Sequence, residues 1–290
     1  MHTGRDMNYA EIYHQSADGL RLYARDYAGP KHDSAAILCL PGLTRNSKDF
    51  AELAVRLSAQ HRVICPDLRG RGRSARDPEP ARYRPDVYVA DMWTLTDVLG
   101  LHQFTVIGTS LGGLMAIMMT AQAPARIGRV VINDIGPEID PKGIARIASY
   151  VGKSGPVATW EEAARQTAEI NGVAFPDYTA ADWMNMARNM YVQEGAVPVL
   201  DYDPAISRGL SNGSAAPNLW PLFGLLAHKP LLAIRGALSD LLSVATFAEM
   251  AQRLPNLEAV VIPGRGHAPT LMEPQALAAI ERFLASDDPA

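Results

Sequence analysis

The chain has 290 residues, 48% hydrophobic and 20% charged, with a formal net charge of −4 and two cysteines. That balance excludes an intrinsically disordered chain and a disulfide-stapled scaffold, and the slight acidity argues against nucleic acid or an anionic membrane as a partner. No apolar run approaches the roughly 18 residues of a membrane span, and the N-terminus lacks the apolar stretch of a signal peptide, so a cytoplasmic globular protein is expected. Residues 11–16 and 20–27 alternate in polarity around Ala17-Asp18-Gly19, whose Asp-Gly pair suits the positive φ angles of a hairpin turn.

From residue 35 onwards short continuous apolar runs alternate with helix-length segments. This is the pattern of βαβ units, and it predicts an α/β fold: a mostly parallel sheet with helices on both faces. Strands are predicted at 35–40, 62–65, 104–107, 127–132, 231–234 and 257–262, with helices at 49–58, 87–99, 111–123, 244–253 and 275–285. Pro124 and Pro255 stop helices, and Pro274 stands where a first helical residue would be. Cys39 and Cys65 end apolar runs, where buried free thiols are the ordinary case. Arg69, Arg71, Arg73 and Arg76 cluster, but Asp67, Asp77 and Glu79 lie among and beside them, which predicts a solvated loop.

One interval breaks the alternation. Between Ile132 and Leu231 no second strand is predicted, but Thr159 precedes Glu162 by three and Thr179 precedes Asp182 by three, two helix starts with capping-box spacing. The second of these helices carries Trp183, Met186, Ala187 and Met190 at helical spacing. The expected organisation is a core in two parts, 1–136 and 227–290, interrupted by a helical insertion over 137–226 with hinges at 135–143 and 211–224. Trp183 and Met190 are candidates to line a pocket beneath that insertion; the plainer alternative is that their stripe is the insertion's own core.

Gly108-Thr109-Ser110-Leu111-Gly112 has the form G-x-S-x-G, with a strand-like run before it and a helix-length apolar segment after it. That is the setting of a nucleophile elbow, a tight turn that exposes a serine only if its neighbours have almost no side chain. A serine hydroxyl needs a base to take its proton and fixed donors to stabilise the oxyanion that follows. Of the seven histidines, His267 follows the last strand within Gly264-Arg265-Gly266-His267. Two aspartates lie beyond strand ends, Asp134 in Ile132-Asn133-Asp134 and Asp240 in Arg235-Gly236-Ala237-Leu238-Ser239-Asp240.

Four segments together give the chain a resemblance to the α/β-hydrolases with a helical cap, over nearly its whole length. They are Cys39-Leu40-Pro41-Gly42-Leu43, the run Asp67-Leu68-Arg69-Gly70-Arg71-Gly72-Arg73-Ser74, the elbow, and the segment ending in His267. The resemblance implies Ser110 as nucleophile, His267 as base and Asp240 as the acid, in the chain order Ser, Asp, His of this fold; members that place the acid after an earlier strand keep Asp134 as the alternative. It implies an oxyanion hole from the backbone N–H groups of Leu43 and Leu111. Asp67 and Arg69 resemble residues that anchor loops. The chain departs from the family at Pro41, where a histidine commonly precedes the glycine.

No Cys or His cluster has metal-ligand spacing, and Gly70-Arg71-Gly72 does not open a helix as a dinucleotide fingerprint would, so neither metal nor cofactor is expected. The activity implied is that of a serine hydrolase cleaving a small or medium, partly hydrophobic carboxylic ester or lactone through an acyl-enzyme on Ser110. Two alternatives stand beside it. One is a C–C bond hydrolase acting on ring-cleavage products, against which His267 is followed by Ala268-Pro269 where those relatives usually have Trp. The other is a low-turnover ligand-binding protein that keeps the triad. A small-molecule partner is common to all three.

Overall fold

The computed structural model describes residues 9–30, 35–209 and 218–286. Its strands are β1 (Ala10–Gln15), β2 (Arg21–Tyr27), β3 (Ala36–Leu40), β4 (Val63–Asp67), β5 (Phe104–Thr109), β6 (Ile127–Asn133), β7 (Tyr191–Glu194), β8 (Val197–Leu200), β9 (Leu231–Gly236) and β10 (Leu257–Ile262). Its α-helices are α1 (Ala51–Leu57), α2 (Pro85–Val98), α3 (Leu111–Gln122), α4 (Pro141–Tyr150), α5 (Trp160–Asn171), α6 (Ala180–Met190), α7 (Trp220–Gly224), α8 (Val244–Arg253) and α9 (Pro274–Ala285).

Because successive side chains of a strand point to opposite faces, the continuous apolar runs fill two layers at once. In β3, Leu38 and Leu40 join α2, α3 and α8 on one face of the sheet, while Ile37 and Cys39 join α1 and α9 on the other. Both Cys39 and Cys65 are buried free thiols, as their positions predict. The main sheet has the order β1-β2-β4-β3-β5-β6-β9-β10, antiparallel at β1, β2 and β4 and parallel from there on. The chain leaves β3 for β4 on one side and then crosses to β5 on the other. A crevice therefore opens beyond the carboxyl ends of β3 and β5, the usual place for a ligand in an open α/β sheet.

Between β6 and β9 the chain makes an insertion that differs from expectation in two ways. A strand pair is present where none is predicted: β7 and β8 form a small antiparallel hairpin turned at Gly195, whose φ is +57°. Four-residue strands, one containing Pro198, leave little periodicity to read. The segment expected as a hinge, 135–143, also runs into the start of α4, opened by Asp140, whose carboxylate accepts from the Lys142 N–H at 2.9 Å, and by Pro141 at the first helical position. That Asp-Pro start was a visible signal. The two capped helices do form where their spacing places them, with a full reciprocal capping box at Thr179 and Asp182. Residues 211–217 of the other expected hinge lie outside the described residues.

The basic cluster is a solvated loop only in part, with Arg73 and Arg76 exposed. Arg69 and Arg71 are each 1% exposed. Arg69 bonds Asp91 at 2.7 Å and Asp18 at 3.0 Å and also pairs with Asp77, so carboxylates from the hairpin turn and from α2 converge on one guanidinium. Burying a charge is costly unless it is paired or hydrogen-bonded in this way. Asp67 accepts from the backbone N–H groups of Ser47 (2.7 Å) and Arg73 (2.8 Å), the loop anchor that the resemblance implies.

Candidate active site

The turn after β5 is built by contact. A Cβ on Gly108 would lie 2.2 Å from the Gly112 carbonyl oxygen, and one on Gly112 would lie 2.0 Å from that of Leu40. Only glycine lets β5, α3 and β3 approach so closely. Ser110, between them, has φ 54° and ψ −117°, a conformation that a side-chain-bearing residue adopts only when its surroundings impose it. Its N–H donates to the Asn133 carbonyl at 2.9 Å, and its own carbonyl accepts from Gly113 and Leu114 at the start of α3.

His267 reaches the same point from the loop after β10. The Asn133 amide donates to the Pro269 carbonyl at 2.8 Å, and Glu273 accepts from the Thr270 N–H at 3.0 Å, which holds that loop against β6 and the start of α9. On its other side Gly266 donates its N–H to the Ala174 carbonyl of the insertion at 2.8 Å. His267 Nε2 lies 2.9 Å from Ser110 Oγ, and His267 Nδ1 lies 2.8 Å from a carboxylate oxygen of Asp134.

The carboxylate at His267 is thus Asp134 and not Asp240. β6 is the immediate neighbour of β5, with Asn133 opposite Thr109, so the residue after Asn133 arrives one strand from Ser110. Asp134 is fully buried with φ 55°. Its Oδ1 accepts from the Gly236 N–H at 2.7 Å and its Oδ2 from the Ser239 hydroxyl at 2.6 Å, both donors coming from the end of β9. Asp240 is one residue too far along that loop. It faces α4, where Arg146 Nη2 donates to it at 2.9 Å, and this guanidinium holds the Asp240 carboxyl below the usual carboxylate range.

Leu111 opens α3, so its N–H belongs to the first turn, where no intrahelical acceptor exists. Leu43 lies beyond β3 and lines the cavity above Ser110. The loop that carries it has Pro41 where the family commonly has histidine, and it is tied from behind by Arg71. That side chain donates from Nε to the Leu43 carbonyl at 2.8 Å and from Nη1 to the Arg69 carbonyl at 2.6 Å. It stacks 4.6 Å from the centroid of Tyr88 and has no carboxylate partner among the described residues.

Above Ser110 is a cavity of about 480 Å³, closed on one side by the sheet loops and on the other by the insertion. Such a volume suits a small molecule. Of the two residues proposed for a pocket, Met190 lines it and Trp183 does not. The face of α6 turned to the cavity is the set Asp182, Asn185, Met186 and Asn189, at intervals of three and four. Trp183 stands one position off that face and packs on Tyr178, with ring centroids 5.0 Å apart. The apolar stripe is shared: Trp183 and Ala187 pack in the insertion's own core, while Met186 and Met190 touch both that core and the cavity, beside the polar Asp182, Asn185 and Asn189. Asn185 and Asn189, with Arg45 in the loop after Leu43, also line the cavity, and their polar side chains give no periodic apolar signal in the sequence. Tyr178 also lines the cavity, and burial pushes the pKa of its hydroxyl up to about 12, so it stays protonated and can donate a hydrogen bond.

Among the described residues no group of His, Cys, Asp or Glu side chains is placed to hold a metal ion, and no helix is long and apolar enough to cross a membrane.

A serine on an elbow, a histidine and a buried carboxylate at the carboxyl edge of a mostly parallel sheet define an α/β hydrolase. The chain belongs to the alpha/beta hydrolase fold family, whose model matches residues 35–274. It is similar to the 3-hydroxybutyrate-oligomer hydrolase of Cupriavidus necator, at 33% identity over 280 residues covering 92% of this chain and 94% of that protein. It is also similar to the 2-(acetamidomethylene)succinate hydrolase of Mesorhizobium japonicum, at 28% identity over 259 residues covering 88% and 89% of the two. A solved structure of an α/β hydrolase from Novosphingobium aromaticivorans matches with a TM-score of 0.91 at 44% identity, covering 95% of this chain and 98% of that one.

Proposed function

We propose that the chain is a serine hydrolase of small carboxylic esters that works through an acyl-enzyme on Ser110. The observation that carries this reading is the continuous hydrogen-bonded series from Ser110 through His267 to Asp134. Ser110 Oγ adds to the ester carbonyl while His267 Nε2 takes its proton, and the buried Asp134 stabilises the imidazolium. The Leu43 and Leu111 N–H groups receive the oxyanion. Collapse of the tetrahedral intermediate breaks the ester C–O bond, and His267 returns the proton to the departing alkoxide as alcohol. Water, deprotonated by His267, then cleaves the Ser110 ester, releasing the acid and restoring the hydroxyl.

The Cupriavidus relative acts on 3-hydroxybutyrate oligomers, which makes esters of short hydroxy acids the first substrates to try. In this reading the insertion between β6 and β9 serves as a cap that sets the size of the cavity. The test is a panel of short-chain esters and lactones, run together with a fluorophosphonate label mapped by mass spectrometry. Turnover of short esters with label on Ser110 is expected. Labelling of a different serine, or no turnover of any ester or lactone, would overturn the proposal.

Arg71 gives this reading a second handle, because it touches the oxyanion loop only from behind. Arg71→Met keeps the apolar stem but frees the Leu43 carbonyl. Since a misplaced oxyanion donor loses part of the 10²–10³-fold that a full deletion costs, kcat is expected to fall about tenfold or more with KM little changed. A rise in KM at constant kcat would show that Arg71 shapes binding instead.

A further inference from the structure

We propose that Arg45 forms an anion subsite in the cavity, so that the preferred substrates are esters carrying a free carboxylate; this rests on the Ser110 hydrolase reading. Arg45 follows Leu43 by two residues in the loop after β3, and its stem runs beside the nucleophile. A Cβ placed on Gly42 would lie 3.5 Å from Arg45 Cγ and 3.8 Å from Ser110 Cβ, so one small glycine separates the two. The guanidinium lines the same cavity as Ser110 and His267.

Its donors are divided. Nη2 donates to Asp49 at 2.7 Å and Nε donates to the other oxygen of the same carboxylate, a two-point contact that fixes the plane of the fork. Nη1 has no hydrogen-bond partner among the described residues, and the side chain is 21% exposed. A planar guanidinium clamped along one edge presents its remaining N–H groups in a fixed direction, which suits the two oxygens of a carboxylate better than a mobile ammonium would.

The other charges around the cavity leave this role to Arg45. Lys48 also lines it, but its ammonium is held by Asp201 at 2.8 Å and by the Tyr191 carbonyl at 3.0 Å. Asp182 is committed to the start of α6, where it accepts from the Thr179 N–H at 2.8 Å. Glu52 is exposed. Three carboxylates thus line the cavity, Asp49, Glu52 and Asp182, and of these Arg45 meets the charge of Asp49 through its two-point contact. The protonated hydroxyl of Tyr178 adds a neutral donor to the same cavity.

The experiment uses ester pairs of matched shape that differ in charge, with proton release as the readout. Monomethyl glutarate against methyl 5-methylhexanoate places the carboxylate on the acyl side; 3-acetoxybutyrate against 4-methylpent-2-yl acetate places it on the alcohol side. The wild-type protein is expected to favour the anionic member of at least one pair by tenfold or more in kcat/KM. In Arg45→Met that ratio should fall by about 10- to 100-fold, the scale of a lost charge-assisted hydrogen bond. Arg45→Lys should recover only part of it. Raising the salt concentration should lower the wild-type ratio. If the wild type favours the neutral member of both pairs, or if the ratio is unchanged in Arg45→Met, the inference falls while the hydrolase reading stands. If neither member of either pair is hydrolysed while other short esters or lactones are, the inference falls alone; if no ester or lactone is turned over, the Ser110 reading fails and the subsite with it.

Discussion

Asp134→Asn is expected to lower kcat/KM for a simple ester by about 10³ to 10⁴, or roughly 4 to 5.5 kcal/mol of transition-state stabilisation. The surroundings of Asp134 say why the amide would be so poor a substitute. Oδ1 receives the Gly236 N–H and so must remain an oxygen, which turns the NH2 group toward His267 Nδ1. An N–H facing Nδ1 favours the tautomer that carries its proton on Nε2, the nitrogen that has to accept one from Ser110. The imidazolium formed in the transition state would also lose its counter-charge. Asp240→Asn, by contrast, disturbs a contact with Arg146 on α4 and should stay within about tenfold. Steady-state kinetics of the two variants, with circular dichroism to verify folding, separates them. An inactive Asp240→Asn beside an active Asp134→Asn would refute the assignment of the acid.

The second large effect is at the nucleophile. Ser110→Ala should abolish fluorophosphonate labelling and lower ester turnover by four orders of magnitude or more, since the remaining triad members then have nothing to activate. Stability should move little, because alanine inherits the unfavourable φ of 54°. Ser110→Gly removes that burden and should be more stable than the wild type by about 1 kcal/mol, measured by urea denaturation. A glycine variant less stable than the alanine variant would mean that the turn is not held against its preference.

Much of this arrangement was legible in the residues. Continuous apolar runs bounded by prolines and glycines marked the sheet strands, and the glycines around Ser110 marked the elbow, because both are local demands of backbone geometry. The choice between Asp134 and Asp240 was not local. Each follows a strand, and what decides between them is that β6 lies beside β5 while β9 lies one place further out, a fact of sheet order that periodicity does not carry. The burial of Arg69 was hidden for a similar reason, since Asp18 and Asp91 come to it from distant parts of the chain. Trp183 misled because an amphipathic helix trapped between two layers has two faces of interest, and hydrophobicity points to only one of them.

The acid's position also bears on how freely this scaffold can be remodelled. Asp134 ends the core just before the chain departs into the insertion, and Gly136, two residues on, sits so tightly that a Cβ there would lie 2.8 Å from Met250 Sδ and 2.9 Å from Leu242 Cδ1. In a hydrolase whose acid follows β9, the whole excursion after β6 is a detachable part, and a foreign one can be spliced in without touching the proton relay. Here the splice site and the relay share a tripeptide. A designer wishing to exchange the insertion for another would have to place the upstream junction beyond Gly136, retaining residues 134–136 and the pocket that receives the glycine. The same linkage makes the upstream root of the insertion intolerant of inserted or deleted residues.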